Sequence, residues 1–313
     1  MNRRTFIKTT AAAGLAAGMR PSLAAPSEPM PRRLLGQTGE RLSIIGFGGI
    51  VVMDKTPEHA ARSVARAVEE HGINYFDVAP SYGNAEERLG PALEPFRQST
   101  FLACKTTQRT AEGARNELHA SLKRLRTDHF DLYQLHALQT AAEVETAFAP
   151  GGAMETFLKA RQEGKARFLG FSAHSVQAAL MALERFAFDT ILFPINHPLW
   201  TRGNFGPQVI ARAREKGMGI LVLKALGRGK WPEGAEKTHP PCWYQPVTDP
   251  EEARLALSFA LSQGATAALP PGNEELFWQA VGLTRQVRPL SAQEEERLGR
   301  LSADAEPLFR HPA

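Results

Sequence analysis

Asn74-Tyr75-Phe76-Asp77-Val78-Ala79-Pro80-Ser81-Tyr82-Gly83-Asn84-Ala85-Glu86-Glu87-Arg88-Leu89-Gly90 decides the fold. It reads as a buried strand over 74–79, a short loop and a helix opening near Asn84, with Asp77 near the strand's end and Tyr82 in the loop beyond. The same strand-then-helix unit recurs along the chain. Strand patterns over 44–49, 74–79, 100–106, 130–136, 167–172, 190–196, 219–225 and 266–270 are each followed by a helical pattern. These helices fall at 57–70, from 84, 110–125, 153–162, 176–186, 207–216, 250–262 and 273–286. About eight strand–helix units predict a (β/α)₈ TIM barrel, an α/β fold. The hairpin-like run 33–43 precedes it, and extended loops, 227–249 above all, overhang its C-terminal face. A final amphipathic helix is expected over 291–308. A doubly wound sheet is the alternative, but the first strand leads into Gly46-Phe47-Gly48-Gly49 rather than G-x-G-x-x-G.

A chain of 313 residues, 43% of them hydrophobic, is long enough for one such barrel. Two cysteines, Cys104 and Cys242, make neither a disulfide framework nor a cysteine-rich metal site, and no metal is expected. The formal charge of +4 rests on the N-terminus. Arg3, Arg4, Lys8 and Arg20 fall in residues 1–24 with no acid, so the chain beyond them is formally neutral and nucleic acid is not an expected partner. Asn2-Arg3-Arg4-Thr5-Phe6-Ile7-Lys8 resembles the twin-arginine export motif. A short, weakly apolar run (Thr9 to Gly18) and Ser22-Leu23-Ala24 follow it. The run is too short and too rich in Ala and Gly for a stable membrane span. The expected organisation is a Tat signal peptide over 1–24, a linker over 25–31 and a barrel over 32–313. The expected location is the periplasm, with the Tat export machinery as a partner.

D-x-x-x-x-Y-G-x-x-E-x-x-L-G, from Asp77 to Gly90, resembles the signature of the aldo-keto reductases. The resemblance runs from about Arg33 to about Gln279. It implies a lysine and a histidine at the ends of later strands, and Lys105 and His136 stand there, in Lys-Thr and Asp-Leu-Tyr-x-Leu-His contexts. It also implies that the 33–43 hairpin plugs the barrel floor. Catalytic groups of a barrel come from the ends of several strands, so Asp77, Tyr82, Lys105 and His136 meet at one rim. That set suits carbonyl reduction by hydride transfer. As hydride reaches the carbonyl carbon, charge grows on oxygen and a proton must be supplied there. Tyr82 is the expected general acid. Lys105 is expected to lower its pKa, Asp77 to hold the ammonium, and His136 to donate a hydrogen bond to the carbonyl oxygen. Taken singly, Asp77 also reads as a turn residue, Lys105 as a snorkelling strand end and His136 as a core histidine.

The resemblance extends to cofactor positions. Gly48, within Gly46 to Gly49, would let backbone approach a nicotinamide. Ser172, in Gly170-Phe171-Ser172-Ala173-His174, matches a carboxamide-binding serine, although Ala173 replaces the asparagine that usually follows. Leu192 stands where a glutamine is usual, with Asn196 as a substitute, and Leu223 stands where an aromatic is usual. Lys224 and Gly227 are implied pyrophosphate contacts. Gly272 lies in Leu269-Pro270-Pro271-Gly272-Asn273-Glu274-Glu275, where a basic residue usually follows Pro-Gly to meet the 2′-phosphate of NADP. NADP(H) is the family default, and NAD(H) stays open because the acids Glu274 and Glu275 stand there instead. Trp231, Trp243 and Tyr244 wall a pocket or pin the long loop. The expected substrate is a small carbonyl compound. Two other readings keep the barrel: a cofactor-binding or sensing subunit without turnover, and a metal-dependent hydrolase, which lacks paired histidines near the first strand.

Overall fold

In the computed structural model, which describes residues 30–312, eight parallel strands form a barrel with helices between them. The proposed signal peptide, 1–24, and most of the linker, 25–31, lie outside the described residues. Strands β1 (Arg32–Leu34) and β2 (Arg41–Ser43) pair antiparallel as the predicted hairpin. The barrel begins with β3 (Phe47–Gly48), β4 (Tyr75–Asp77), β5 (Phe101–Thr106) and β6 (Phe130–Leu138). It continues with β7 (Ala166–Ala173), β8 (Thr190–Pro194) and β9 (Gly219–Leu223). A small ribbon, β10 (Gly227–Gly229) with β11 (Gln245–Pro246), crosses the long loop before β12 (Ala267–Leu269) completes the barrel. Each barrel strand pairs in parallel with its neighbour from β3 to β9, and β12 pairs with β9. The seam between the first and last strands is thin. Ile45 bridges Ala268, the Gly46 amide donates to the Ala268 carbonyl at 3.0 Å, and the Ala268 amide donates to the Ile44 carbonyl at 2.9 Å. This is why only two residues of the expected 44–49 strand are regular.

The period-2 geometry of strands sorts the buried residues into two cores. Tyr75, Phe101, Ala103, Leu132, Leu192, Leu221, Ala267 and Leu269 point into the barrel. Their chain neighbours Phe76, Leu102, Cys104, Tyr133, Ile220, Val222 and Ala268 point out against the helices. Both faces are covered, so the strands read as nearly continuous apolar runs. Leu35 and Leu42, from the hairpin, belong to the inner core and are fully buried, so the hairpin does close the barrel floor. At the same end, Asp131 accepts from Arg97 at 2.9 Å, from Arg167 at 2.6 Å and from the Leu102 amide at 2.8 Å, tying β5, β6 and β7 together.

The surrounding helices are α1 (Pro57–Ala65), α2 (Ala85–Leu93), α3 (Ala111–Arg124), α4 (Ala141–Phe148), α5 (Ala153–Gln162) and α6 (Val176–Arg185). They continue as α7 (His197–Thr201), α8 (Pro207–Glu215), α9 (Pro250–Ser262), α10 (Glu274–Leu283) and α11 (Ala292–Leu301). The sequence pattern missed α4 and α7. The first starts at a capping box made by Thr140 and Glu143, and the second is capped by Asn196. The tail helix stops at Leu301, short of the expected Leu308. Arg202 takes the Ser302, Ala303 and Ala305 carbonyls at 2.5–2.6 Å, and the chain turns back toward the rim. Leu35→Ala should empty part of the floor and lower stability by about 2–5 kcal/mol, read from urea unfolding.

Candidate active site

Asp77 ends β4, Lys105 is the penultimate residue of β5, and both are buried. A lone buried charge is costly, and this pair removes the cost by direct contact between the Lys105 Nζ and Asp77 Oδ1. The remaining capacity is filled locally. Lys105 donates to the Val78 carbonyl at 3.2 Å, while Asp77 Oδ2 accepts from Tyr75 at 3.3 Å and from Gln134 Nε2 at 3.2 Å. The Lys105 ammonium stands 5.1 Å from the centre of the Tyr82 ring. Tyr82 Oη lies 3.5 Å from His136 Nε2, the two rings meet edge to face, and Ser81 Oγ is 3.4 Å from His136 Nδ1. Arg109 fixes the His136 backbone by donating to its carbonyl at 2.6 Å. The structure therefore brings Asp77, Tyr82, Lys105 and His136 into one cluster.

Burial dominates the protonation of this cluster. It opposes charge on Lys105, but Asp77 and Tyr82 together more than offset it, so the lysine's pKa rises and the ammonium persists. Burial also holds the Tyr82 hydroxyl above its ordinary value, with Lys105 only partly opposing and Asp77 adding to the rise. Lys105 does pull the phenol down, as the sequence led one to expect, but desolvation outweighs it and the net shift is upward. Tyr82 is consequently a protonated donor at neutral pH. His136 is driven down to about 2, by burial first and then by the nearby cations, so its imidazole is neutral.

The cluster opens on a cavity of about 370 Å³ at the C-terminal rim, lined by Asp77, Ser81, Tyr82 and His136. Leu192, Leu223 and Leu269 give it apolar walls, and the long loop contributes Cys242, Trp243 and Tyr244. Trp231 does not line it and instead donates to the Cys242 carbonyl at 3.3 Å, pinning the loop. Burial lifts the Cys242 thiol to about 11, leaving it protonated and a poor nucleophile. Sequence reasoning missed His174 and Phe309. His174 lines the cavity beside Lys224, and Phe309, on the returning tail, stacks on His174 at 5.0 Å. Only the fold brings that tail to the rim.

The cofactor candidates separate. Gly48, Ser172, Lys224 and Gly272 line the cavity; Asn196 and Gly227 do not. Gly48 presents an open face, with no atom within 4 Å of where a Cβ would stand, so a flat ring has room against its backbone. The Ser172 hydroxyl accepts from the Ala137 amide at 2.7 Å and keeps its own proton to donate. Gly272 is demanded by packing, since a Cβ there would meet Ile50 at 2.3 Å. The Asn196 side chain is spent on the α7 cap, accepting from the Leu199 amide at 2.9 Å, and on the Lys224 carbonyl at 3.1 Å. It is therefore not the glutamine substitute expected from the sequence. The Gly227 amide turns back to the Lys224 carbonyl at 2.9 Å and is not free for a phosphate.

A second groove of about 360 Å³ shares Ile50, Met53, Pro241 and Gly272 with the cavity and carries Asp54, Lys55, Glu274 and Glu275. Glu274 is locked by His59 Nε2 at 2.7 Å and by Ser63 Oγ at 2.8 Å. These bonds outweigh its burial and hold its carboxyl below the usual range. The residues fit the nicotinamide end of a dinucleotide: an open glycine face, a hydroxyl donor and apolar walls beside the proton-bearing pair. Among the described residues no group of three or more His, Cys, Asp or Glu could hold a metal ion.

The sequence profile of the Aldo/keto reductase family matches residues 44–274. The chain belongs to that family. Its members are oxidoreductases that act on carbonyl groups. The chain is similar to L-galactose dehydrogenase of Arabidopsis thaliana, at 25% identity over 74% of this chain and 76% of that one. It is also similar to the aldo-keto reductase YhdN of Bacillus subtilis, at 32% identity over 62% of each. The fold superposes on aldo-keto reductase AKR11C1 of Bacillus halodurans with a TM-score of 0.66, at 24% identity, over 88% of this chain and 98% of that one.

Two outcomes follow from the cluster. Asp77→Asn should strand the Lys105 charge and lower stability by about 3–5 kcal/mol, measured by chemical unfolding. The His136 ring resonances should not titrate between about pH 5 and pH 9, because its pKa is driven down to about 2.

Proposed function

We propose that this protein reduces an aldehyde or ketone to an alcohol with NAD(P)H, with Tyr82 as the general acid. The observation that carries the reading is the convergence of Asp77, Tyr82, Lys105 and His136 at one cavity. A bound nicotinamide cofactor would supply the hydride. His136 Nε2 and Tyr82 Oη are 3.5 Å apart and both residues line the cavity, so a carbonyl oxygen bound there takes a contact from each. The neutral imidazole orients that oxygen, and Tyr82 delivers the proton. The Lys105 ammonium, fixed by Asp77, stabilises the phenolate that remains. Gly48 and Ser172 receive the nicotinamide beside the leucine walls.

Cofactor choice follows from the groove. The carboxylates of Asp54, Glu274 and Glu275 disfavour a 2′-phosphate, whereas the family default is NADP(H), so both forms belong in the assay. Export is part of the same proposal. Arg3, Arg4 and the small-residue run to Ala24 support twin-arginine routing to the periplasm, a pathway that carries folded proteins. A second reading, a cofactor-binding subunit without turnover, is favoured by Leu192 and by the engaged Asn196, which remove two polar partners for a carboxamide.

Calorimetric titration with NADPH and then NADH, followed by an aldehyde and ketone screen, tests the proposal. Tyr82→Phe should lower turnover at least about 100-fold while leaving nucleotide affinity nearly unchanged. Wild-type protein that binds nucleotide yet turns over no carbonyl would favour the binding subunit. Because the acid needs its proton, activity should persist at neutral pH and fall as pH rises through the elevated Tyr82 pKa, as a pH–rate profile would show. Replacing Arg3 and Arg4 by Lys should keep the protein in the cytoplasm, as cell fractionation would show.

A further inference from the structure

The cavity holds a buried lysine that the proposed reaction leaves without a partner. Lys224 is 7% exposed, lines the cavity and, among the described residues, has no carboxylate within ion-pair distance. Its Nζ lies 3.3 Å from His174 Nε2 and stands 5.4 Å from the Trp243 ring and 5.7 Å from the Phe309 ring. Aromatic faces replace only part of the lost hydration of an ammonium. Lys105, the other buried lysine of this rim, has its counter-charge in Asp77. That carboxylate has nothing left for Lys224, since Tyr75 and Gln134 take its second oxygen. The Lys224 backbone has φ +63°, a left-handed conformation that favours glycine, yet the chain carries a long cationic side chain there.

We propose that Lys224 is an anion-selecting contact of this cavity, so that the substrate is a carbonyl compound bearing a carboxylate, an oxo acid. This rests on the reductase reading above. Burial without a counter-charge drives the Lys224 ammonium down to about 7, and a ligand carboxylate beside it would offset that cost and hold the proton. Tyr82, His136 and Lys224 all line one cavity of about 370 Å³, so a single small molecule meets the proton donor with its carbonyl and the ammonium with its carboxylate. The cofactor's pyrophosphate is another source of the same anionic chemistry, and the experiment separates the two.

The test compares 4-formylbenzoate with its neutral methyl ester in the wild type, Lys224→Gln and Lys224→Arg, with circular dichroism as a check on folding. Lys224→Gln should lose about tenfold or more in kcat/KM on the acid and stay within about twofold on the ester, and Lys224→Arg should recover part of the loss. Calorimetric affinity for NADPH and NADH should stay within about twofold. Equal losses on acid and ester together with weakened nucleotide binding would place the pyrophosphate at Lys224 and overturn the proposal. An unchanged preference in Lys224→Gln would also overturn it. If the wild type turns over neither compound, the reductase reading fails separately. Calorimetry with terephthalate then decides Lys224: binding that is lost in Lys224→Gln upholds the anion site, and no binding to the wild type overturns it.

Discussion

The buried contact between Lys105 and Asp77 is the constraint on which the site depends. Two charges removed from water are tolerable only when they face each other and their remaining hydrogen-bonding capacity is met. Here the partners come from three neighbouring strands: Tyr75, Asp77 and Val78 at β4, Lys105 on β5 and Gln134 on β6. A slip of one residue in any of these strands would turn a member of the network to the other face of the sheet. Barrel register and the polarity of the rim are thus specified together, and the Tyr82 phenol inherits an ammonium whose place is set by the fold rather than by the loop that carries the tyrosine.

The two ends of the barrel divide the work. At the N-terminal end, leucines of the hairpin and the Asp131 ion network close the floor and tie strands together. At the C-terminal end, the strands stop short, and their last residues and the following loops enclose a cavity instead of a core. This asymmetry is a general property of such barrels. What is particular here is the chemistry of the walls: leucines at 192 and 223, a locked glutamate in the adjoining groove, and a lysine held among aromatic rings.

Much of this was legible in the sequence, for a physical reason. Strands covered on both faces must be apolar along their length, so eight of them stand out between amphipathic helices. Asp77, Lys105 and His136 interrupt such runs near their ends, where a barrel exposes its rim. The rest depends on contacts distant in the chain. Asn196 looks like a free amide until α7, too short to show a periodicity, claims it as a cap. The rise in the Tyr82 pKa reflects the protein atoms that separate strands gather around its hydroxyl, which no spacing records. Phe309 follows the last helical pattern, and nothing local indicates that Arg202 bends that tail back across the rim.

The thin seam of the barrel has a mechanical meaning. Most neighbouring strands are held by several paired residues, but the first and last meet through Ile44, Ile45 and Gly46 against Ala268 alone. The residues just beyond that junction, Gly48 on one side and Leu269, Pro270 and Gly272 on the other, belong to the cavity wall. The cylinder therefore has a thin stave joint directly beneath the cavity. On that side the cavity runs into the acidic groove through Ile50, Met53, Pro241 and Gly272, so the two meet where the barrel is least knitted.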